Sequence, residues 1–82
     1  MPRYFFDISS EHAIRDEDGE DLADHETARE VAIRIASEVL PVHARQLAQT
    51  GRVAITVRDE RGAVIHELEC RLTTRLPAGG SD

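Results

Sequence analysis

Hydrophobic and polar side chains alternate from Arg3 to Ile8, with Tyr4, Phe6 and Ile8 on one face and Arg3, Phe5 and Asp7 on the other. This two-residue period predicts a strand. Phe5 breaks the polar face, which predicts a strand inside the sheet with some cover on both sides. Ser9-Ser10-Glu11-His12 reads as a loop, after which Ala13-Ile14-Arg15 pairs back as a short second strand. Asp16-Glu17-Asp18-Gly19 turns the chain, the aspartate bonding local backbone and the glycine accepting a positive φ. Leu22 anchors the chain ahead of the helix.

The period then changes. Asp24 is suited to cap a helix beginning near His25, and Glu26 and Glu30 favour its positive end. At 100° per residue, Ala28, Val31, Ala32, Ile35, Ala36, Val39, Val42 and His43 form one stripe that should rest on the sheet. Ile33, Leu40, Ala44 and Leu47 widen the stripe to about 220°, more than one sheet face covers. Either the first hairpin and Leu76 wrap over this flank, or it is an association surface. Pro41 has no N–H for the carbonyl of Ser37, so the helix should kink or restart there, and Thr50-Gly51 ends it.

A second hairpin comes next. Val53, Ile55 and Val57 alternate with polar or small residues, Asp59-Glu60-Arg61-Gly62 is the turn, and Val64, His66, Leu68, Cys70 and Leu72 alternate beyond it. Setting Arg58 opposite Ala63 places Val57 against Val64, Ile55 against His66 and Val53 against Leu68, which matches the apolar rows. Ile14-Arg15-Asp16-Glu17-Asp18-Gly19 echoes Val57-Arg58-Asp59-Glu60-Arg61-Gly62 in type, as expected if one turn chemistry is used twice.

The expected class is therefore α+β: a small antiparallel sheet of three or four strands in ββαββ order, packed on one helix kinked near Pro41. With 82 residues the chain suits one domain over 1–76, and the segment 77–82 has little to bury and reads as a flexible tail. No apolar run is long enough to span a membrane, and the start Met1-Pro2-Arg3-Tyr4-Phe5-Phe6-Asp7 lacks a signal peptide's apolar stretch, so a cytoplasmic protein is expected. The one cysteine, Cys70, has no partner for an internal disulfide or a CxxC site.

Charge narrows the function classes. The formal net charge is -6, and ten of the sixteen acids lie between Asp7 and Glu30. The arginines are scattered rather than gathered in a basic stripe, which disfavours direct nucleic-acid binding. The acidic first half could meet a basic partner or serve solubility.

The Met1-Pro2-Arg3-Tyr4-Phe5-Phe6 start, the Arg15-Asp16-x-x-Gly19 turn, Leu22-x-Asp24, Ala28-Arg29 and the Val57-x-Asp59-x-x-Gly62 hairpin together resemble a family of short bacterial proteins of unknown function. The resemblance covers roughly residues 1–72 and implies the ββαββ frame, with no activity, ligand or catalytic residue to carry over. A looser likeness is to HicB-type antitoxins, whose partial RNase H-like domains also run from a strand through an acidic turn into a helix. This chain has neither their proline- and glycine-rich segment before the helix nor a separate DNA-binding tail.

Candidate chemistry is sparse. The acidic turn departs from a calcium loop, because Ile14 stands where the first ligand belongs, and it reads as a solvated hairpin turn. His12 and His25 flank that turn and with Asp16 or Asp24 could form a mixed metal or acid–base set, the basis of an enzyme alternative. His43 and His66 fall on inward faces and read as hydrogen-bonded structural histidines, and Cys70 as a small buried hydrophobe. No cofactor is expected. The leading expectation is a non-catalytic protein-interaction module, self-associating as a homodimer or binding another protein through Ile33, Leu40 and Leu47. An antitoxin-like regulator is a third reading.

Overall fold

A computed structural model describes residues 1–77 of the chain. The elements in order are β1 (Arg3–Ser9), β2 (Ala13–Ile14), β3 (Glu20–Asp21), α1 (His25–Val42), α2 (Ala44–Thr50), β4 (Arg52–Arg58) and β5 (Val64–Arg71). They form an α+β fold with one antiparallel sheet in the order β2-β1-β4-β5, and β3 also pairs with β1. The sheet thus has one strand more than the three or four expected. Glu20-Asp21 carries no alternation to announce a strand; it is placed by pairing with Arg3 and Tyr4, and by an Arg3 Nη2–Asp21 Oδ2 ion pair at 3.1 Å. β2 and β3 together act as one interrupted strand along β1, broken where residues 15–19 leave the edge.

β1 lies inside the sheet, as Phe5 implied, and pairs with β4 from Phe5↔Arg58 to Ser9↔Ala54. One face presents Tyr4 and Phe6 beside Val57, Ile55 and Val53, and α1 covers it with Ala28, Val31, Ala32 and Ala36. Alanines at 28, 32 and 36 fall one above another on the helix and allow its backbone close to the sheet. Val42 was expected in this stripe, yet it is 77% exposed. The 18 residues of α1 rise about 27 Å, whereas a seven-residue strand spans about 23 Å, so the last helical turn runs beyond the sheet.

Asp24 caps α1 as expected: its Oδ1 accepts the Thr27 N–H at 2.8 Å and the Thr27 hydroxyl at 2.7 Å. Pro41 is tolerated inside the final turn, and the break comes two residues later at His43, where α2 restarts the helical layer. The layer is therefore two helices, not one kinked helix.

The register of the second hairpin differs from expectation. Val57 pairs with His66, Ile55 with Leu68 and Val53 with Cys70, each two residues further along β5 than the apolar rows suggested. The displacement arises beside the turn. Asp59 N–H donates to the carbonyl of Ala63 at 2.9 Å, so Arg58 pairs with Val64, and an irregularity between Val57 and Arg58 then leaves Ile65 as the extra residue of a bulge. A two-residue shift preserves which face each side chain occupies, and so a pattern of period two does not resolve it. Val64 is left 59% exposed.

Beyond β5, the Leu72 N–H extends the ladder to the Gly51 carbonyl at 2.8 Å. Leu76 is 86% exposed and does not cover the helical flank. The expected tail over 77–82 lies, after Pro77, outside the described residues.

Candidate functional site

Because β1 and β4 are neighbours, the two turns that echo each other in sequence stand side by side at one end of the sheet. An open cleft of about 390 Å³ lies between them, with Phe5, Asp16 and Arg58 among its lining and Arg15 and Arg61 contributed by the two turns.

Asp16 organises the first turn. Where residues 15–19 leave the edge of β1, the Phe6 N–H has no ladder partner, and Asp16 Oδ2 accepts it at 3.0 Å. Asp16 Oδ1 accepts the N–H groups of Asp18 and Gly19 at 3.1 and 3.2 Å. The Asp16 N–H in turn donates to Asp7 Oδ1 at 2.9 Å. Asp59 repeats the device, its Oδ1 accepting the N–H groups of Arg61 and Ala63, both at 2.9 Å. The expectation of one turn chemistry used twice holds, down to a positive φ at both Gly19 and Gly62.

Arg58 ties the turns together. It donates Nε to Asp7 Oδ2 at 2.6 Å and Nη2 to Asp7 Oδ1 at 3.1 Å, a bidentate pair, and Nη2 also reaches the Asp16 carbonyl at 3.0 Å. Its guanidinium lies 5.0 Å from the centroid of the Phe5 ring. This explains the aromatic side chain on the polar face: Phe5 is covered by an arginine rather than by a second layer. The Arg58 hydrogen bond holds the Asp7 carboxyl below its ordinary range, against the opposing effect of burial, and Asp7 raises Arg58 in return. Asp59 is likewise lowered, first by the Ala63 N–H.

The carboxylates of Asp7, Asp16 and Asp59 are thus engaged by backbone and by Arg58. The remaining charges of the cleft, Arg15 and Arg61 with Glu17 and Glu60, balance in sign. No histidine, cysteine or serine lines it to act as nucleophile or base.

The histidines are disposed elsewhere. His25 meets Tyr4 edge-on at 5.7 Å between ring centroids and His66 at 6.5 Å. The His66 Nε2–H donates to the His25 carbonyl at 2.8 Å, and the His43 Nδ1–H to the Val39 carbonyl at 3.1 Å, so both are hydrogen-bonded histidines as expected. His12 is exposed in the loop after β1. Among the described residues, no group of three or more His, Cys, Asp or Glu side chains is arranged to hold a metal ion. Cys70 is half-buried against the core. Of the flank residues, Ile33 is 47% exposed, while Leu40 and Leu47 are half-buried.

Comparison with known proteins adds one match, to a domain of unknown function, DUF6894, over residues 3–71. The chain belongs to the DUF6894 family. No curated protein and no solved structure matches it, and nothing in these comparisons supports the likeness to HicB-type antitoxins. In this DUF6894 domain the residues that carried the family resemblance are structural: Asp16 and Gly19 form the first turn, Leu22 is buried, Asp24 caps α1, Ala28 is fully buried under the sheet, and Asp59 and Gly62 form the second turn. Neither the family nor the geometry assigns a catalytic residue. The Asp7–Arg58 clamp has no signature in the sequence, because only the adjacency of β1 and β4 brings the two together. Phe5, apolar where its strand should be polar, is the one local sign of it.

Proposed function

We propose that this chain is a non-catalytic protein-interaction module that self-associates through the flank formed by Ile33, Leu40 and Leu47. The observation that carries this reading is Ile33, a β-branched side chain in the middle of α1 that is 47% exposed while its helix is otherwise anchored on the sheet. Leu40 follows it two turns later on the same side of the helix. The acid–base and metal alternative has less to draw on, since the carboxylates between the two turns are committed to hydrogen bonds and neither His12 nor His25 lines the cleft between them. No helix among the described residues is long and apolar enough to cross a membrane. A cytoplasmic setting fits a free thiol at Cys70, and an acidic chain without a basic stripe suits a protein partner better than nucleic acid.

Burying a leucine side chain from water contributes about 1.5 to 3 kcal/mol. Leu40→Glu is therefore expected to convert a dimer to monomer in sedimentation velocity with the circular dichroism spectrum of the folded chain retained. A monomer at every concentration of the unaltered chain, or outright unfolding by Leu40→Glu, overturns the reading.

A further inference from the structure

We propose that the partner is a second copy of this chain, added to the sheet along the outer edge of β5, antiparallel, about a twofold axis at Cys70. The inference rests on the self-association reading and adds to it a strand register.

β5 is the last strand of the sheet and pairs with β4 on one side; its other edge has no strand partner among the described residues. At eight residues it is a long edge of the kind that recruits another strand. Leu72 directs its N–H toward β4, at the Gly51 carbonyl. The alternation of a strand then sends the N–H and C=O groups of Glu67, Glu69 and Arg71 outward.

A twofold antiparallel partner must oppose outward residues to outward residues, so the axis passes through a single residue, and among Leu68, Glu69, Cys70 and Arg71 charge selects which one. Centred on Leu68, Glu67 opposes Glu69 twice. Centred on Glu69 or on Arg71, that residue opposes its own copy. Centred on Cys70, Glu69 opposes Arg71 twice and no like charges meet, extending the Arg71 Nε–Glu69 Oε1 and Arg52 Nε–Glu69 Oε2 pairs already present at 2.7 and 2.5 Å. On the face toward α1 the same register sets the 43%-exposed Leu72 against Leu68.

The hand of the layers brings the helical flank to the same side. Phe6 turns its side chain to the helix face and its N–H to the Asp16 loop. For an L-chain this places the loop to the right and β5 to the left, when the sheet is viewed from the helix with β1 running upward. α1 also runs upward, since His25 sits beside Tyr4 and His66, and it packs on β4 and β5. Its right-handed winding then turns Ile33 and Leu40 leftward, over the free edge. One twofold axis therefore covers both the strand edge and the flank.

In this register Cys70 meets its own copy in a non-hydrogen-bonded pair, with Cα atoms about 4.5 Å apart, inside the range a disulfide spans. Diamide, taking two electrons and two protons from the paired thiols, is expected to cross-link the full chain to a covalent dimer on a non-reducing gel. Sedimentation of the reduced chain is expected to show that Arg71→Glu raises the dimer dissociation constant at least about tenfold, and that Glu69→Arg combined with Arg71→Glu restores it. Arg71 is 74% exposed on its side chain, so its replacement leaves the core intact. A dimer that Leu40→Glu dissociates, but that neither cross-links through Cys70 nor responds to Arg71→Glu, overturns the β5 register and leaves the flank reading standing. A dimer that responds to Arg71→Glu and not to Leu40→Glu upholds the register and overturns the flank. A monomer at all concentrations overturns both.

Discussion

Gly19 and Gly62 occupy the same place in two matching turns, with φ of +74° and +85°, yet alanine should affect them unequally. An L-residue forced into this region costs about 1 to 2 kcal/mol, which both variants share. At Gly62 a Cβ meets nothing within 4 Å. At Gly19 it would lie 2.9 Å from the Tyr4 carbonyl oxygen, the Phe5 ring and Arg3 Cγ. Arg3 Cγ belongs to a flexible side chain and can give way, but the Tyr4 carbonyl is fixed in β1 and the Phe5 ring is held under Arg58. Overpacking of this kind adds about 1 to 3 kcal/mol. Gly62→Ala should therefore lose about 1 to 2 kcal/mol, and Gly19→Ala about 2 to 5. The total stability of a chain this size is about 4 to 12 kcal/mol. Urea denaturation followed by circular dichroism, with both variants at equal concentration, reads the difference. In thermal melts Gly19→Ala should fall at least about 4 to 8 °C below Gly62→Ala. Equal losses, or a larger loss at Gly62, would refute the claim that the Asp16 turn is packed against β1 while the Asp59 turn projects freely.

Asp7→Asn should destabilise the fold by about 1.5 to 3 kcal/mol, since it removes the charge of a carboxylate that accepts two Arg58 bonds and one backbone bond, and urea midpoints will show it. Asp7, Asp24, Asp59 and Glu69 all sit below the ordinary carboxylate value, lowered first by Arg58, the Thr27 N–H, the Ala63 N–H and Arg71 respectively. Their stabilisation is complete above the unfolded value of about 4 and is lost as pH falls through the lower folded values; melts from pH 7 to pH 3 should decline only below about pH 5, and less steeply for Asp7→Asn. Chelation should leave the melting temperature unchanged, and calcium or zinc titration should produce no stoichiometric NMR shifts at His12, Asp16 or His25, because the Asp16 oxygens already hold three N–H groups.

What the chain announces in advance depends on whether a residue's neighbours in sequence are its neighbours in space. Asp24, Thr27 and the alanines of α1 interact within a few positions, and the helix start was legible to the residue. The two aspartate turns were legible for the same reason. The hairpin register was not, because Ile65 is absorbed as a bulge and a shift of two leaves the alternation unchanged. β3 was invisible because Glu20 and Asp21 are held by Arg3 and Tyr4 rather than by a pattern of their own. The cleft and its clamp depend on Asp7 meeting a residue 51 positions away, a contact that follows from strand order alone.

The central place of β1 also governs when this sheet closes. Its long neighbour, β4, begins only at Arg52, so during synthesis the aromatic segment Tyr4-Phe5-Phe6 leaves the ribosome well before the strand it must pair with exists. α1, built on local contacts, and the β4–β5 hairpin assemble by short-range steps, whereas the insertion of β1 beside β4 closes the longest loop in the domain. Within this domain β1 is accordingly expected among the last strands to dock. In the interval its apolar edge is open to chaperones and to other nascent chains, so changes that delay β4 should appear as poor soluble yield before any loss of equilibrium stability is measurable.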